Sequence, residues 1–308
     1  MAEIKICSGK FVDDPVESLE IGSSMSFASL RLDFGDEKIL LSWIEHWECF
    51  KGTLLAVSFS EDGKYKIEGS AVLVGPGIAI SAKHLFEDKM SLLLETKKSA
   101  LFFAINSNKL EIWVLTQITL VANSDLCILG LKPKYQISPN QLLNYAAIST
   151  RLPRLNERMT ICGFRADHRE YVENFNQQTL IQNPNLNILI SSGTVSERYP
   201  YGRDKIMLPG PCLEILSSSI GCMSGGPVYD KEGKLVGIIS TSFDNEDMSP
   251  TYVSLLWPAL AANFYYTWPT LLSSDFTRLI DNKSCDFDKR DCLKYNEVTG
   301  ITEMRIWE

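Results

Sequence analysis

Between residues 52 and 262, short apolar runs alternate with turn residues, and this rhythm dominates the chain. Runs rich in Val, Ile, Leu, Phe and Thr lie at 53–59, 67–74, 78–82, 91–95, 101–105, 111–121 and 126–129. A polar stretch over 132–144 interrupts them, and marks a link between two halves. The runs resume at 158–162, 186–191, 212–216, 227–229, 235–240 and 252–256. Asp62-Gly63, Gly75-Pro76-Gly77 and Asp230-Lys231-Glu232-Gly233 punctuate them as turns. With their β-rich composition and turn punctuation, these runs predict about a dozen short strands in two sets of about six. Such a pattern predicts an all-β fold of antiparallel barrels or a sandwich, not a parallel α/β sheet.

The two ends read differently. Residues 1–23 show little periodicity and predict a loosely held arm, while 24–34 alternate as a strand. Ile39, Leu40, Trp43, Ile44, Trp47 and Phe50 recur at spacings of one, three and four, which predicts an amphipathic helix over 37–49. Asp36 precedes it as a candidate cap. A short helix is expected over 270–280 and a strand within 294–307.

Composition narrows the class. The chain has 308 residues, 45% hydrophobic and 22% charged, with 30 Lys+Arg against 38 Asp+Glu and a net charge of −8. That balance excludes disorder, and length alone suggests about two domains. A net negative chain has no general attraction for nucleic acid or anionic lipid, so neither is expected as a partner. The best membrane candidate, 110–122, is broken by Glu111, Thr116, Gln117 and Thr119. The first residues lack the basic start and apolar stretch of a secretory signal, so a cytoplasmic location is expected. Eight cysteines without a C-x-x-C pair give no metal or redox motif. Cys127 and Cys162, inside apolar runs, read as buried free thiols, and Cys285 and Cys292, in a charged stretch, as an exposed pair or as two unrelated thiols, not a metal site.

Three local patterns carry chemistry. Ile78-Ala79-Ile80-Ser81-Ala82-Lys83-His84 runs a strand straight into a histidine. Asn123-Ser124-Asp125-Leu126-Cys127-Ile128-Leu129 places an acid immediately before an apolar strand. Gly221-Cys222-Met223-Ser224-Gly225-Gly226-Pro227-Val228 sets a serine on a glycine turn. Each alone is weak, since glycine-flanked serines and acids at strand heads are common turn features. Of the other histidines, His46 falls in the expected helix and His168 in the charged run 165–170.

Taken together, the three patterns resemble those of the chymotrypsin/trypsin-like serine peptidases, most of all the disulfide-free bacterial type. Ser-Ala-Lys-His is similar to that family's Thr-Ala-Ala-His box, Ser-Asp-Leu-Cys-Ile-Leu to its Asp-Ile-Ala-Leu box, and Ser-Gly-Gly-Pro to its nucleophile signature. The order His84, Asp125, Ser224 is that of chymotrypsin-type triads. The resemblance implies two six-stranded antiparallel β-barrels within 52–262, one over about 52–135 and the other over about 145–262. The segments 1–51 and 263–308 would then be short helical or strand extensions. It further implies a catalytic set of His84, Asp125 and Ser224, with the N–H groups of Cys222 and Ser224 as the oxyanion hole and no cofactor or metal. The tetrapeptide Gly237-Ile238-Ile239-Ser240 is similar to the strand that pairs with substrate, and Ser240 is also placed to support Asp125. By position relative to the nucleophile, Ser218 falls at the base of the primary pocket and Ser242 along its wall. Neither is charged, so a small or medium uncharged side chain is the expected preference.

The chain departs from the family at two positions. Cys222 stands where the family has glycine, at a backbone site that needs positive φ. Met223 replaces the polar residue usual before the serine. Either the hole forms at a modest strain cost, or the loop rests inactive until a substrate or regulatory protein partner reshapes it. The implied activity is endoproteolysis of a protein or peptide substrate. The competing expectation is an inactive peptidase fold that serves as a protein-binding module.

Overall fold

The computed structural model describes residues 5–8, 24–32, 39–42, 47–61, 64–95, 100–106, 109–134, 142–166, 171–172, 186–217, 219, 222–242, 250–268, 272–281, 284–296 and 301–308. Among the described residues, three strands precede the first barrel: β1 (Lys5–Ser8), β2 (Ser24–Leu30) and β3 (Ile39–Ser42).

The first barrel is built from β4 (Leu54–Glu61), β5 (Lys64–Gly75), β6 (Ile78–Ala82), β7 (Ala100–Asn106), β8 (Lys109–Leu120) and β9 (Leu126–Pro133). Its strands pair in the order β5-β4-β7-β8-β9-β6, and β6 pairs back to β5, closing the barrel. Closure removes the unpaired edges that a long apolar sheet would expose. Leu55, Val57, Val72, Ile80, Phe102 and Leu129 fill it with at most 2% exposure. Each such side chain stabilises the fold by about 1.5–3 kcal/mol relative to an exposed one.

Strand β10 (Leu142–Ala146) leads into the second barrel. That barrel consists of β11 (Arg158–Ala166), β13 (Leu186–Tyr199), β14 (Cys212–Ile215), β15 (Pro227–Tyr229), β16 (Leu235–Ser242) and β17 (Thr251–Leu255); a short strand, β12 (Tyr171–Val172), intervenes in sequence and pairs with β5 of the first barrel. The order is β11-β15-β16-β17-β14-β13, closed by β13 on β11. Met159, Ile161, Leu213, Val228, Ile239 and Val253 form its apolar centre. The result is a chymotrypsin-like pair of six-stranded antiparallel barrels.

The extensions brace the connection between barrels. β2 runs parallel to β10, and the Leu32 N–H donates to the Gly233 carbonyl (3.1 Å) of the β15–β16 turn. After β17 come a short helix (Trp257–Leu260), β18 (Asn263–Tyr266), β19 (Leu272–Asp275), a second short helix (Phe276–Asp281), and a hairpin of β20 (Leu293–Asn296) and β21 (Ile301–Met304). Asp288 accepts from the Ser149 hydroxyl (2.7 Å) and the Thr150 N–H (3.0 Å), which fastens this tail to the connection.

Several local expectations are corrected. Within the segment predicted as an amphipathic helix over 37–49, the described residues 39–42 form β3, which pairs with β13, and Trp47–Phe50 is a 3-10 turn. Spacings of one, three and four over so few residues do not outweigh a strand partner with open hydrogen-bonding groups. Asp36, His46 and His168 lie outside the described residues. The run at 91–95 is helical, Met90–Glu95, with the Leu93 N–H donating to the Lys89 carbonyl (2.9 Å). Three consecutive leucines do not distinguish the two states by their period. The helix expected over 270–280 begins only at Phe276, because 272–275 pair with β18 as a strand. Cys285 and Cys292 are buried, not exposed, at 4% and 3%. Cys127 and Cys162 are buried free thiols.

Candidate active site

Strand register brings the first two motifs together. In the β6–β9 pair Ala82 faces Leu126, so the chain leaving β6 passes the residue that enters β9. There the Lys83 N–H donates to the Asp125 carbonyl (3.2 Å) and the His84 N–H donates to Asp125 Oδ1 (2.9 Å). The ring then folds back, with Nδ1 of His84 2.9 Å from Oδ2 of Asp125. The Asp125 side chain is 8% exposed and the His84 side chain 44%, so the acid is covered and the imidazole faces the cleft. An acceptor carboxylate at Nδ1 selects the tautomer protonated there, which leaves Nε2 as a base. Behind them the Cys127 thiol donates to the carbonyls of Ser81 and Ala82 (3.6 and 3.7 Å). Burial, followed by the nearby Asp125 charge, pushes its pKa well up, so it stays a neutral thiol.

Ser224 comes from the second barrel, on the turn before β15. The Gly225 N–H donates to the Ile239 carbonyl and the Gly226 N–H to the Met223 carbonyl, both at 2.8 Å. Gly225 has φ +81°, and a Cβ there would sit 2.0 Å from the Ser70 carbonyl oxygen. Cys222 adopts φ +71°, the left-handed backbone that its position was expected to require. Met223 is fully buried in the apolar centre of the second barrel, which accounts for an apolar residue directly before the serine. The Ser224 hydroxyl donates to the Ser240 carbonyl (3.4 Å), and the Ser240 hydroxyl, 2% exposed, donates to Asp125 Oδ2. Ser240 therefore reaches the acid from the opposite barrel.

A cleft of about 480 Å³ joins these groups, lined by His84, Asp125, Ser224, Ser240 and Thr241 together with Lys83, Glu87, Ser219, Ile206 and Met207. Of the residues expected around substrate, Ser218 lies outside the described residues, and Ser242 ends β16 opposite Thr251. Sequence reasoning missed Ser219, which lines the cleft next to the expected position; the Thr251 hydroxyl lies 3.0 Å from its Oγ. It also missed Ile206 and Met207, 89% and 49% exposed at the rim. Asp204 holds their turn, accepting the N–H groups of Met207 (2.7 Å) and Ile206 (2.9 Å), and these donors keep its carboxyl below the usual range. An Asp two residues ahead of an apolar pair is the available sequence signal for such a turn.

Among the described residues, no cluster of His, Cys, Asp and Glu is arranged to hold a metal ion. No described helix is long and apolar enough to cross a membrane.

Two closed barrels with histidine, acid and serine around one cleft define a serine peptidase fold, and the chain belongs to the trypsin-like peptidase domain family, whose model matches residues 69–238. Similar solved structures include Deg5, 14% identical over 67% of this chain and 84% of that one, with a TM-score of 0.46. The Rv3671c protease of M. tuberculosis in its active form is 12% identical over 68% and 78%, with a TM-score of 0.46. The MamO protease domain of Magnetospirillum magneticum in its apo form is 12% identical over 68% and 94%, with a TM-score of 0.45. No curated protein matches the chain.

Proposed function

We propose that this protein is a serine endopeptidase that cleaves a protein or peptide substrate through an acyl-enzyme. The observation that carries the reading is the 2.9 Å contact of His84 Nδ1 with Asp125, in a cleft that Ser224 shares. Ser224 Oγ attacks the scissile carbonyl carbon while His84 Nε2 takes its proton. The C–N bond then breaks as Nε2 returns that proton to the leaving amine. Water repeats the sequence to release the acid and free Ser224. Asp125 stabilises the imidazolium and fixes its tautomer, and the N–H groups of Cys222 and Ser224 face the developing oxyanion. The left-handed backbone at Cys222 supports a formed hole rather than one awaiting repair.

In the resting arrangement the Ser224 hydroxyl is engaged with the Ser240 carbonyl, so transfer to His84 requires its side chain to turn when substrate arrives. This supports a site gated by its substrate. Uncharged residues at the serine end of the cleft, Ser219 and Thr241, support a small or medium uncharged side chain at the cleavage position. Ile206 and Met207 offer apolar contact to a neighbouring substrate residue.

A fluorophosphonate probe tests the reading. Labelling of the wild type that is lost in Ser224→Ala is the expected result. A folded wild type that does not label, even with candidate substrates added, would leave the protein-binding module as the better account.

A further inference from the structure

The turn carrying Ser224 is gripped from the opposite barrel by a residue outside all three motifs. Ser70 lies on β5 and is fully buried. Its hydroxyl donates to the Cys222 carbonyl (3.2 Å) and accepts the Phe164 N–H of β11 (3.0 Å). Its own N–H donates to the Ser224 carbonyl (2.8 Å), and its carbonyl accepts the Ser81 hydroxyl (2.7 Å). One side chain thus ties the first barrel to β11 and to the nucleophile turn.

Those bonds fall where the turn is strained. Cys222 holds φ +71° with a side chain that disfavours it, and a non-glycine residue there persists only when its surroundings over-determine the conformation. A return to negative φ would rotate the 222 carbonyl against the 222 N–H, and Ser70 holds that carbonyl. Nor is there slack behind it. A Cβ on Gly69 would lie 3.0 Å from the Ser224 carbonyl oxygen, and one on Gly225 would lie 2.0 Å from that of Ser70.

We propose that Ser70 is a positioning residue whose hydroxyl holds Cys222 in the left-handed conformation, and so aims the Cys222 N–H at the oxyanion. Its consequence for rate rests on Ser224 being the nucleophile; its consequence for the turn does not. In this chain Ser70 does from outside what glycine at 222 would do by its own conformational freedom.

The test compares wild type, Ser70→Ala, Cys222→Gly and the double variant, by fluorophosphonate labelling rate and by amide hydrogen exchange at Phe164 and across 222–226. Ser70→Ala should label about 10–100-fold more slowly, within the range seen for loss of an oxyanion donor or less, and should exchange faster across the turn. Adding Cys222→Gly should recover most of the rate and slow exchange at Gly225 and Gly226. A purely structural role lowers thermal stability alike in both backgrounds, without that rescue. Should Ser70→Ala fail to fold, a folded double variant supports the proposal and an unfolded one overturns it. Ser70→Ala that folds, labels at the wild-type rate and leaves exchange at 222–226 unchanged also overturns it. A wild type that never labels defeats the peptidase reading, and the exchange measurements still decide the role of Ser70.

Discussion

Asp125 receives His84 twice, through the ring at Oδ2 and through the backbone N–H at Oδ1, each at 2.9 Å, while Ser240 donates to Oδ2 from the other barrel. The acid is thereby fixed in position before any substrate binds. Asp125→Asn should preserve the fold and lower the labelling rate by about 10⁴-fold, because the amide no longer selects the required tautomer. Ser240→Ala removes one hydrogen bond to a charged group, worth about 1.5–3 kcal/mol, and should slow labelling by roughly 10–100-fold. Equal rates for Ser240→Ala and wild type would show that the backbone contact alone suffices.

Met223 precedes Ser224 but points into the apolar centre of the second barrel. Met223→Ala should therefore cost about 2–5 kcal/mol in urea unfolding, the range for emptying a core site. A loss below about 0.5 kcal/mol, usual for a surface change, would contradict that placement.

Asp288 fastens the C-terminal segment to the connection between barrels through Ser149 and Thr150. Asp288→Ala leaves the buried Thr150 N–H without that acceptor, at a cost of about 1–3 kcal/mol. The expected result is a lower melting temperature with faster amide exchange at 148–150. Unchanged exchange there would show that the segment does not brace the connection.

Glu157 supplies a pH test. Its side chain is 14% exposed and paired with Arg151, which in turn reaches Asp230 (3.1 Å). Burial works against its charge, but the Arg151 hydrogen bond and the Arg154 N–H outweigh it, and the carboxyl stays below its ordinary value of 4.5. A depressed folded pKa stabilises above the unfolded value, and that contribution disappears as pH falls through the folded one. Glu157→Gln should be less stable than wild type at pH 7, with the gap narrowing once pH drops below about 4.5. Urea midpoints at pH 7 and pH 3 measure this. A gap independent of pH would assign the effect to packing instead of charge.

Where turn residues bracket a run closely, the sequence was legible: 78–82 and 227–229 are strands over those same residues. It failed over 39–42 and 91–95, where the apolar positions are too few for either period to exclude the other. The tail at 284–288 read as charged and exposed because its partners, Ser29 and residues 148–150, are more than a hundred positions away.

By itself, the sequence determined the all-β class and placed a histidine, an acid and a serine in the order and local contexts of a peptidase. Those features depend on neighbours within a few residues, where period and turn chemistry act. The resemblance also placed Ser240 beside Asp125, a bond the structure forms across 115 positions, but tertiary structure alone decided the Ser70 bond to Cys222 across 152. It also decided that Cys222 takes a backbone its own side chain disfavours. Local propensity opposes that conformation, and only contacts brought together by closing two barrels can hold it.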